Sequence, residues 1–381
     1  MEEGFDRAGV ATLEPSSYAA AFDRWIERGD HDQMHFLARR REVRFDPASR
    51  LEGSRSAVCV ALNYDSGSGD GRQGNENDLW RGVARYAQGD DYHDVMLRRL
   101  RRLGDRIESA FPGTKTRSYV DTGPLLEREL AQRAGLGRIG KNTMLLHRTG
   151  SYFLLGEVLT TLELEPAREL LPDLCGNCTR CLDACPTGAL PSPYRLDARR
   201  CISNWTIEHR GPFDGEQAEA LHGWSFGCDI CQEVCPWNSE RNSRRRPADH
   251  EPLRRPTERG ALDLLTLATI DRETYVERFR RSPMKRPKRH GLRRNAMAVL
   301  VSEGLEFLGS DPLEWSTAAT GRLADVLGVV RTNLDAEEDS LRITAQRSAR
   351  RLETALARLG DPIPEEIGEA LRALGPAQRD P

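Results

Sequence analysis

Long hydrophobic runs are what this 381-residue sequence lacks first. No stretch approaches the roughly 18 to 20 uninterrupted apolar residues that a membrane-spanning helix needs, so no membrane attachment is expected. An export signal is missing as well: Glu2, Glu3, Asp6 and Arg7 stand where a basic segment and then an apolar one would be. A cytoplasmic protein is the expectation. Bulk charge of one sign is also absent, with a net of -3 from 56 Lys and Arg against 59 Asp and Glu. The charge is nonetheless uneven, because 281–294 (RSPMKRPKRHGLRR) holds seven cations and no acid while Asp335 to Asp339 reads DAEED. With 38% hydrophobic and 30% charged residues the composition is globular, and the length calls for two or three domains.

Cysteine is scarce everywhere except in one place. Eight of the nine lie between residues 175 and 235 of a long chain with no export signal, which points to metal rather than to disulfides. Cys175-x2-Cys178-x2-Cys181-x3-Cys185-Pro186 matches the bacterial ferredoxin run, in which the fourth thiolate ligates the other cube. A second run, Cys228-x2-Cys231-x3-Cys235-Pro236, has Ser225 where its first ligand would be, and Cys201 is the spare thiol nearby. The crossover rule then predicts Cys175, Cys178, Cys181 and Cys235 on one 4Fe-4S cluster and Cys185, Cys201, Cys228 and Cys231 on the other. Zinc has no use for the tight triple with a crossover Cys-Pro. Cys59, inside the apolar run SAVCVALN, reads as a core residue.

One motif lacks its context. GLGRIG (135–140) matches the dinucleotide fingerprint, which must follow a strand and open a helix. Here the glycines follow the helical LLERELAQRA and precede the strand-like NTMLLH, so the order is inverted. Gly135 is expected as a helix C-cap, and Gly137 and Gly140 as positions of close backbone approach. Asp121 closes a strand just before Gly123-Pro124. Its bland reading is a helix N-cap, and its functional reading is a general acid that needs a raised pKa.

Along the chain, Ser16 to Arg28, Asp30 to Arg41, Asp91 to Phe111 and Leu125 to Ala134 read as helices. Ser56 to Asn63 and Lys115 to Asp121 read as strands, and Asn142 to Leu162 is strand-rich. Asp65 to Asp78 reads as a surface loop. From residue 262 to 359 four successive helical patterns follow with little strand signal and no clean repeat, suggesting a small α-solenoid. The fold class expected is α+β: an N-terminal mixed α/β domain (1–165), a two-cluster ferredoxin-type domain (166–245) and a C-terminal helical region (246–381). The cationic segment, with Lys285, Arg286, Lys288, Arg289, Arg293 and Arg294, suits a nucleic-acid phosphate backbone, or else a solvated face.

The cysteine box, DTGPLLER, AGLGRIGKN, YRLDARRCIS, GCDICQEVCPWN and GLRRNA, in this order, resemble the epoxyqueuosine reductase family from about Asp91 to Ala296. That resemblance implies reduction of epoxyqueuosine to queuosine at the wobble position of tRNA, with cobalamin and two 4Fe-4S clusters. It also implies the Asp of the DTG motif, here Asp121, as proton donor. Cobalamin comes by resemblance only, since the Asp-x-His-x-x-Gly signature of one corrinoid class is absent. The contacts expected for it are Arg44, Asp121, Lys141, Asn142 and Leu145, with Ile202 and Gly227 near the second cluster. The partners implied are the anticodon stem-loop of tRNA and an external low-potential electron donor, the protein acting as a monomer. The helical tail resembles the HEAT-like region of the family. Two alternatives stay open: a reductive dehalogenase-like enzyme acting on a small molecule, and a non-catalytic iron-sulfur carrier or RNA-binding protein in which Asp121 is only a cap.

Overall fold

The computed structural model describes residues 3–65, 67, 79–247, 250–254, 263–310, 316–359 and 365–374. Most of the loop expected over 65–78 lies outside them. The chain forms two compact units, one of residues 1–70, 85–201 and 229–256, the other of 71–84, 202–228 and 257–381.

The first unit is built on an antiparallel sheet of β1 (Arg7–Thr12), β2 (Ser56–Asn63), β3 (Thr116–Tyr119) and β6 (Phe153–Thr160), in the order β1-β2-β6-β3. β2 coincides with the apolar run SAVCVALN, whose period of two sends alternate residues to opposite faces. On one face Val60, Leu62, Leu154 and Val158 pack against Val95, Met96 and Leu100. These last three come from the helix Tyr92–Ala110, which Asp91 caps by accepting the His93 N–H. On the other face Ala57, Cys59, Ala61 and Leu159 meet Leu130, Ala131 and Ala134, at the helix Glu127–Arg133 and its C-cap. Cys59 is fully buried, as expected of a core residue.

Helix Glu127–Arg133 ends in a Schellman motif: Gly135 has φ +72°, its N–H bonds the Gln132 carbonyl, and the Leu136 N–H bonds the Ala131 carbonyl. The glycines that follow serve a two-stranded hairpin, β4 (Arg138–Ile139) with β5 (Leu145–Leu146). A Cβ on Gly137 or Gly140 would collide with Leu145 or Leu146. Internal packing accounts for the whole GLGRIG match.

One helical expectation changes. Asp30 to Arg41 is mostly irregular, with one turn at His35–Ala38. Asp32 and Arg40 have positive φ, and the fully buried Asp30 carboxylate is held by Arg195 and Arg199, so distant ion pairs override local propensity. β1 is a strand that the sequence pattern does not announce.

The second unit is helical. Its centre is the helix Lys288–Leu308, buried on all sides through most of its length. The helices Leu264–Thr269, Thr317–Asn333 and Asp339–Leu359 pack against it, and Glu365–Leu374 packs on Thr317–Asn333.

Candidate active site and cluster segment

Asp121 lies on the loop that leaves β3. It is not a helix cap, because the next helix begins at Glu127 with Leu126 at the N-cap position. Its φ of +48° is unusual for a residue other than glycine, and the side chain is 57% exposed. Strained backbone of this kind persists only where its surroundings fix it, and here they do. The Asp121 N–H donates to the Glu127 carboxyl. His93 Nε2 lies 3.0 Å from Asp121 Oδ2, and His93 Nδ1 lies 2.7 Å from Asp91 Oδ1. Tyr92 also makes a side-chain hydrogen bond to Asp121.

The electrostatics follow from this packing. Burial disfavours a charged His93, but the bonds to Asp121 and Asp91 outweigh it and lift the imidazole to about 9. Desolvation, reinforced by the charge of Asp121, lifts Glu127 to about 8. Behind it Glu157, on β6, is fully buried, neither carboxyl oxygen has a hydrogen-bond partner, and burial pushes it well above the usual carboxylate range. His93, Tyr92, Glu127 and Glu157 were not singled out from the sequence. The only local signal was DYH at a helix start, and the link between residue 93 and residue 121 exists only in the fold.

Of the eight cysteines of the cluster segment, all but Cys228 fall in the same unit. None of the nine cysteines forms a disulfide. Cys175, Cys178 and Cys181 each add to the raised pKa of Cys235, which burial lifts first, to about 11. Four thiols from distant positions therefore sit close enough to feel one another's charge, a donor set that suits a 4Fe-4S cube. Amides point at the sulfurs: Lys141 N–H to Cys175 Sγ at 3.4 Å and Ala189 N–H to Cys185 Sγ at 3.3 Å. Both runs fold alike, as single helical turns at Arg180–Asp183 and Ile230–Glu233, each started by paired amide bonds to the Thr179 or Asp229 carbonyl.

Several expected cofactor contacts are engaged elsewhere. Lys141 Nζ holds the carbonyls of Gly176 and Cys178, and Asn142 Nδ2 holds that of Cys231. Leu145 is 3% exposed and belongs to the core. Arg44 differs, being half-buried with its Nε buried and unpartnered, a donor available to an acceptor-rich ligand. In the second unit Ile202 is buried, and Gly227, at φ +69°, donates its N–H to Thr206 Oγ1 at 2.9 Å.

The expected cationic face is smaller than the sequence suggests. Lys285, Arg286 and Lys288 are exposed and Arg289 is partly so, with Arg286 forked onto Glu208 at 2.9 and 3.0 Å. Arg293 and Arg294 are 9% and 1% exposed. Arg293 bonds the Ala268 carbonyl and Asn333, while Arg294 bonds the carbonyls of Trp205, His209 and Gly211 and stacks on Phe213. These two are interior struts, and the phosphate-gripping role expected for them is withdrawn.

Residues 44–122 match the family model described as "Epoxyqueuosine reductase QueG, DUF1730", and residues 174–238 match "4Fe-4S double cluster binding domain". An epoxyqueuosine reductase of Gloeobacter violaceus is 42% identical over 311 residues, covering 79% of this chain and 93% of the relative. One of Pseudomonas aeruginosa is 37% identical over 295 residues, covering 75% and 78%. Among solved structures, an epoxyqueuosine reductase bound to an epoxyqueuosine-modified tRNA-Tyr stem loop superposes with a TM-score of 0.76 at 29% identity, over 98% of this chain and 96% of that one. The enzyme of Streptococcus thermophilus gives 0.72 at 26% identity, over 94% and 96%. The chain belongs to the epoxyqueuosine reductase family, within which it carries a 4Fe-4S double cluster binding domain.

Proposed function

We propose that this protein reduces epoxyqueuosine to queuosine at the wobble position of tRNA, in the cytoplasm and as a monomer, with Asp121 as the proton donor. The observation that carries the reading is the Asp91–His93–Asp121 chain, which runs from the start of the helix Tyr92–Ala110 to the DTG loop, within a fold that matches a stem-loop-bound relative over nearly its whole length. Removing the epoxide oxygen as water consumes two electrons and two protons. Cobalamin, when bound, supplies a strongly nucleophilic reduced cobalt, and Arg44, with its unpartnered Nε, together with the loop bearing Asp121, would hold it.

The chain's own residues do the rest. His93, with both ring nitrogens protonated below about pH 9, fixes the orientation of the Asp121 carboxyl, and Asp91 anchors its other nitrogen. Two 4Fe-4S clusters, on Cys175, Cys178, Cys181 and Cys235 and on Cys185, Cys201, Cys228 and Cys231, would bring electrons from an external low-potential donor. Lys285, Arg286, Lys288 and Arg289 are the phosphate contacts proposed for the anticodon stem-loop. The functional division stays at 1–165 for cofactor and substrate, 166–245 for the clusters and 246–381 for a HEAT-like tRNA-binding region. A non-catalytic carrier in which Asp121 is merely a cap is disfavoured by the position of that residue outside any helix start, and a small-molecule reductase leaves the tRNA-bound relative without a counterpart here.

The test is anaerobic reconstitution with iron, sulfide and cobalamin, then reduction and incubation with epoxyqueuosine-containing tRNA. Queuosine should appear on nucleoside analysis. Asp121→Asn should lower turnover by about 100-fold or more while iron content stays unchanged. Undiminished turnover in the variant would remove Asp121 from its role, and no queuosine from fully loaded protein would end the reading itself.

A further inference from the structure

The reduction consumes two protons, and one carboxyl can deliver only one before it must be recharged. Asp121 is half-exposed, yet the loop that carries it is closed by another carboxyl. Glu127 Oε1 accepts the Asp121 N–H, so the Glu127 head group lies directly against the turn that presents the donor.

Behind Glu127 the sheet supplies a third acid. On β6 the period of two sends Glu157 to the face covered by the helix Glu127–Arg133. Its register partners are Cys59 on β2 and Tyr119 on β3, both in that apolar core. A carboxylate there would be a buried, unpaired charge, so Glu157 holds its proton. Both of its oxygens lack a partner, which a purely structural polar group avoids. Two carboxyls packed this closely resist ionising together, because each charge raises the cost of the other.

Resting on the proposed reaction, we propose that Glu127 is the second acid of the reduction, returning a proton to Asp121 after Asp121 has given up its own. In balance, the epoxide takes two electrons from the external one-electron donor by way of the clusters. The oxygen leaves as water with two protons, both delivered by Asp121, the first its own and the second from Glu127. Asp121 and Glu127 both end as carboxylates, so two protons return from solvent, one to each, entering through the exposed side chain of Asp121. Glu127 thus acts through Asp121 rather than on the substrate.

The groups that face it are consistent with this. The charge that Asp121 carries once it has given up its proton opposes ionisation of Glu127, whereas Arg128 on its own helix and His93 on the opposite one allow a transient carboxylate. Tyr92 and Cys59 stay neutral, each pushed well above its ordinary value by burial, with Glu127 adding to the effect.

Glu127→Gln tests the inference, because its amide oxygen still accepts the Asp121 N–H and holds the loop but carries no acid proton. In the reconstituted holoenzyme, kcat should fall by about tenfold or more with KM for tRNA unchanged. Wild-type kcat should decline as pH rises through about 8, and the variant should lack that limb while keeping the later one set by His93 near 9. An activity-independent readout is the infrared carbonyl band of protonated carboxylic acids. Wild-type protein should show intensity at pH 7 that titrates away through that range and is missing from Glu127→Gln. A variant with wild-type kcat and an unchanged alkaline limb overturns the inference, as does wild-type protein without that titrating band. If wild-type holoenzyme makes no queuosine, the functional reading fails and this inference falls with it.

Discussion

Glu157, fully buried with neither carboxyl oxygen partnered, makes a thermodynamic demand on the first unit. Its folded pKa lies well above the ordinary carboxylate value, so between the two values the folded protein holds a proton that the unfolded chain has released. Folding stability attributable to it is complete below the unfolded pKa and declines as pH rises from there toward the folded one, by up to about 1.4 kcal/mol per pH unit. Glu157→Gln removes the titration. Denaturant unfolding at pH 5 and pH 8 should therefore show the variant gaining stability relative to wild type at the higher pH, whatever constant cost the buried amide adds. A wild-type-minus-variant difference that does not change with pH would mean Glu157 has a partner that neutralises it. None of this was legible from the sequence, where Glu157 is one acid in FLLGEVLT and only the register beside Cys59 and Tyr119 gives it meaning. The cysteines are the opposite case, because their spacing is set by cube geometry over a few residues, and the local turns at Arg180–Asp183 and Ile230–Glu233 follow from it.

Among the elements, the strand Ser56–Asn63 and the helix Tyr92–Ala110 match the sequence reading to within a residue, because each is long, strongly periodic and bounded by polar segments. β1 escaped notice because Arg7–Thr12 is short and glycine-containing, and becomes a strand only by pairing with β2. The helix Lys288–Leu308 shows how a charge run misleads. Arg281 to Arg294 looks like one solvated basic face, but the helix is buried all round from Gly291 to Val301, and the carbonyls of Trp205, His209 and Gly211, in and just after the helix Ile202–Ile207, turn inward and require a cation. Burial lowers Arg294 to about 9, and its forked hydrogen bonds and the Phe213 ring oppose that cost. Arg294→Lys keeps a positive charge but cannot span three carbonyls, so it should destabilise the helical unit by about 3 kcal/mol, read as a lower thermal midpoint by circular dichroism. A midpoint within a degree of wild type would show that the fork is dispensable.

At the level of the whole molecule, the burial of Arg293 and Arg294 changes what the basic segment can offer to RNA. Six expected phosphate contacts become at most four, and of those Arg286 is already paired with Glu208. Each phosphate contact adds close to one unit to the slope of log affinity against log salt, somewhat less on single strands. Replacing Lys285 and Lys288 together by Gln should therefore weaken binding of the anticodon stem-loop and flatten its salt dependence by about one to two units. Replacement of Arg294 should leave that slope unchanged in whatever protein remains folded. Filter or fluorescence titrations across a range of salt concentrations separate the two effects, since a slope measures contacts and an intercept absorbs losses of folded protein. An unaltered slope in the double variant would assign the exposed lysines to solvent, and the tRNA grip would have to be sought on other cations of the chain.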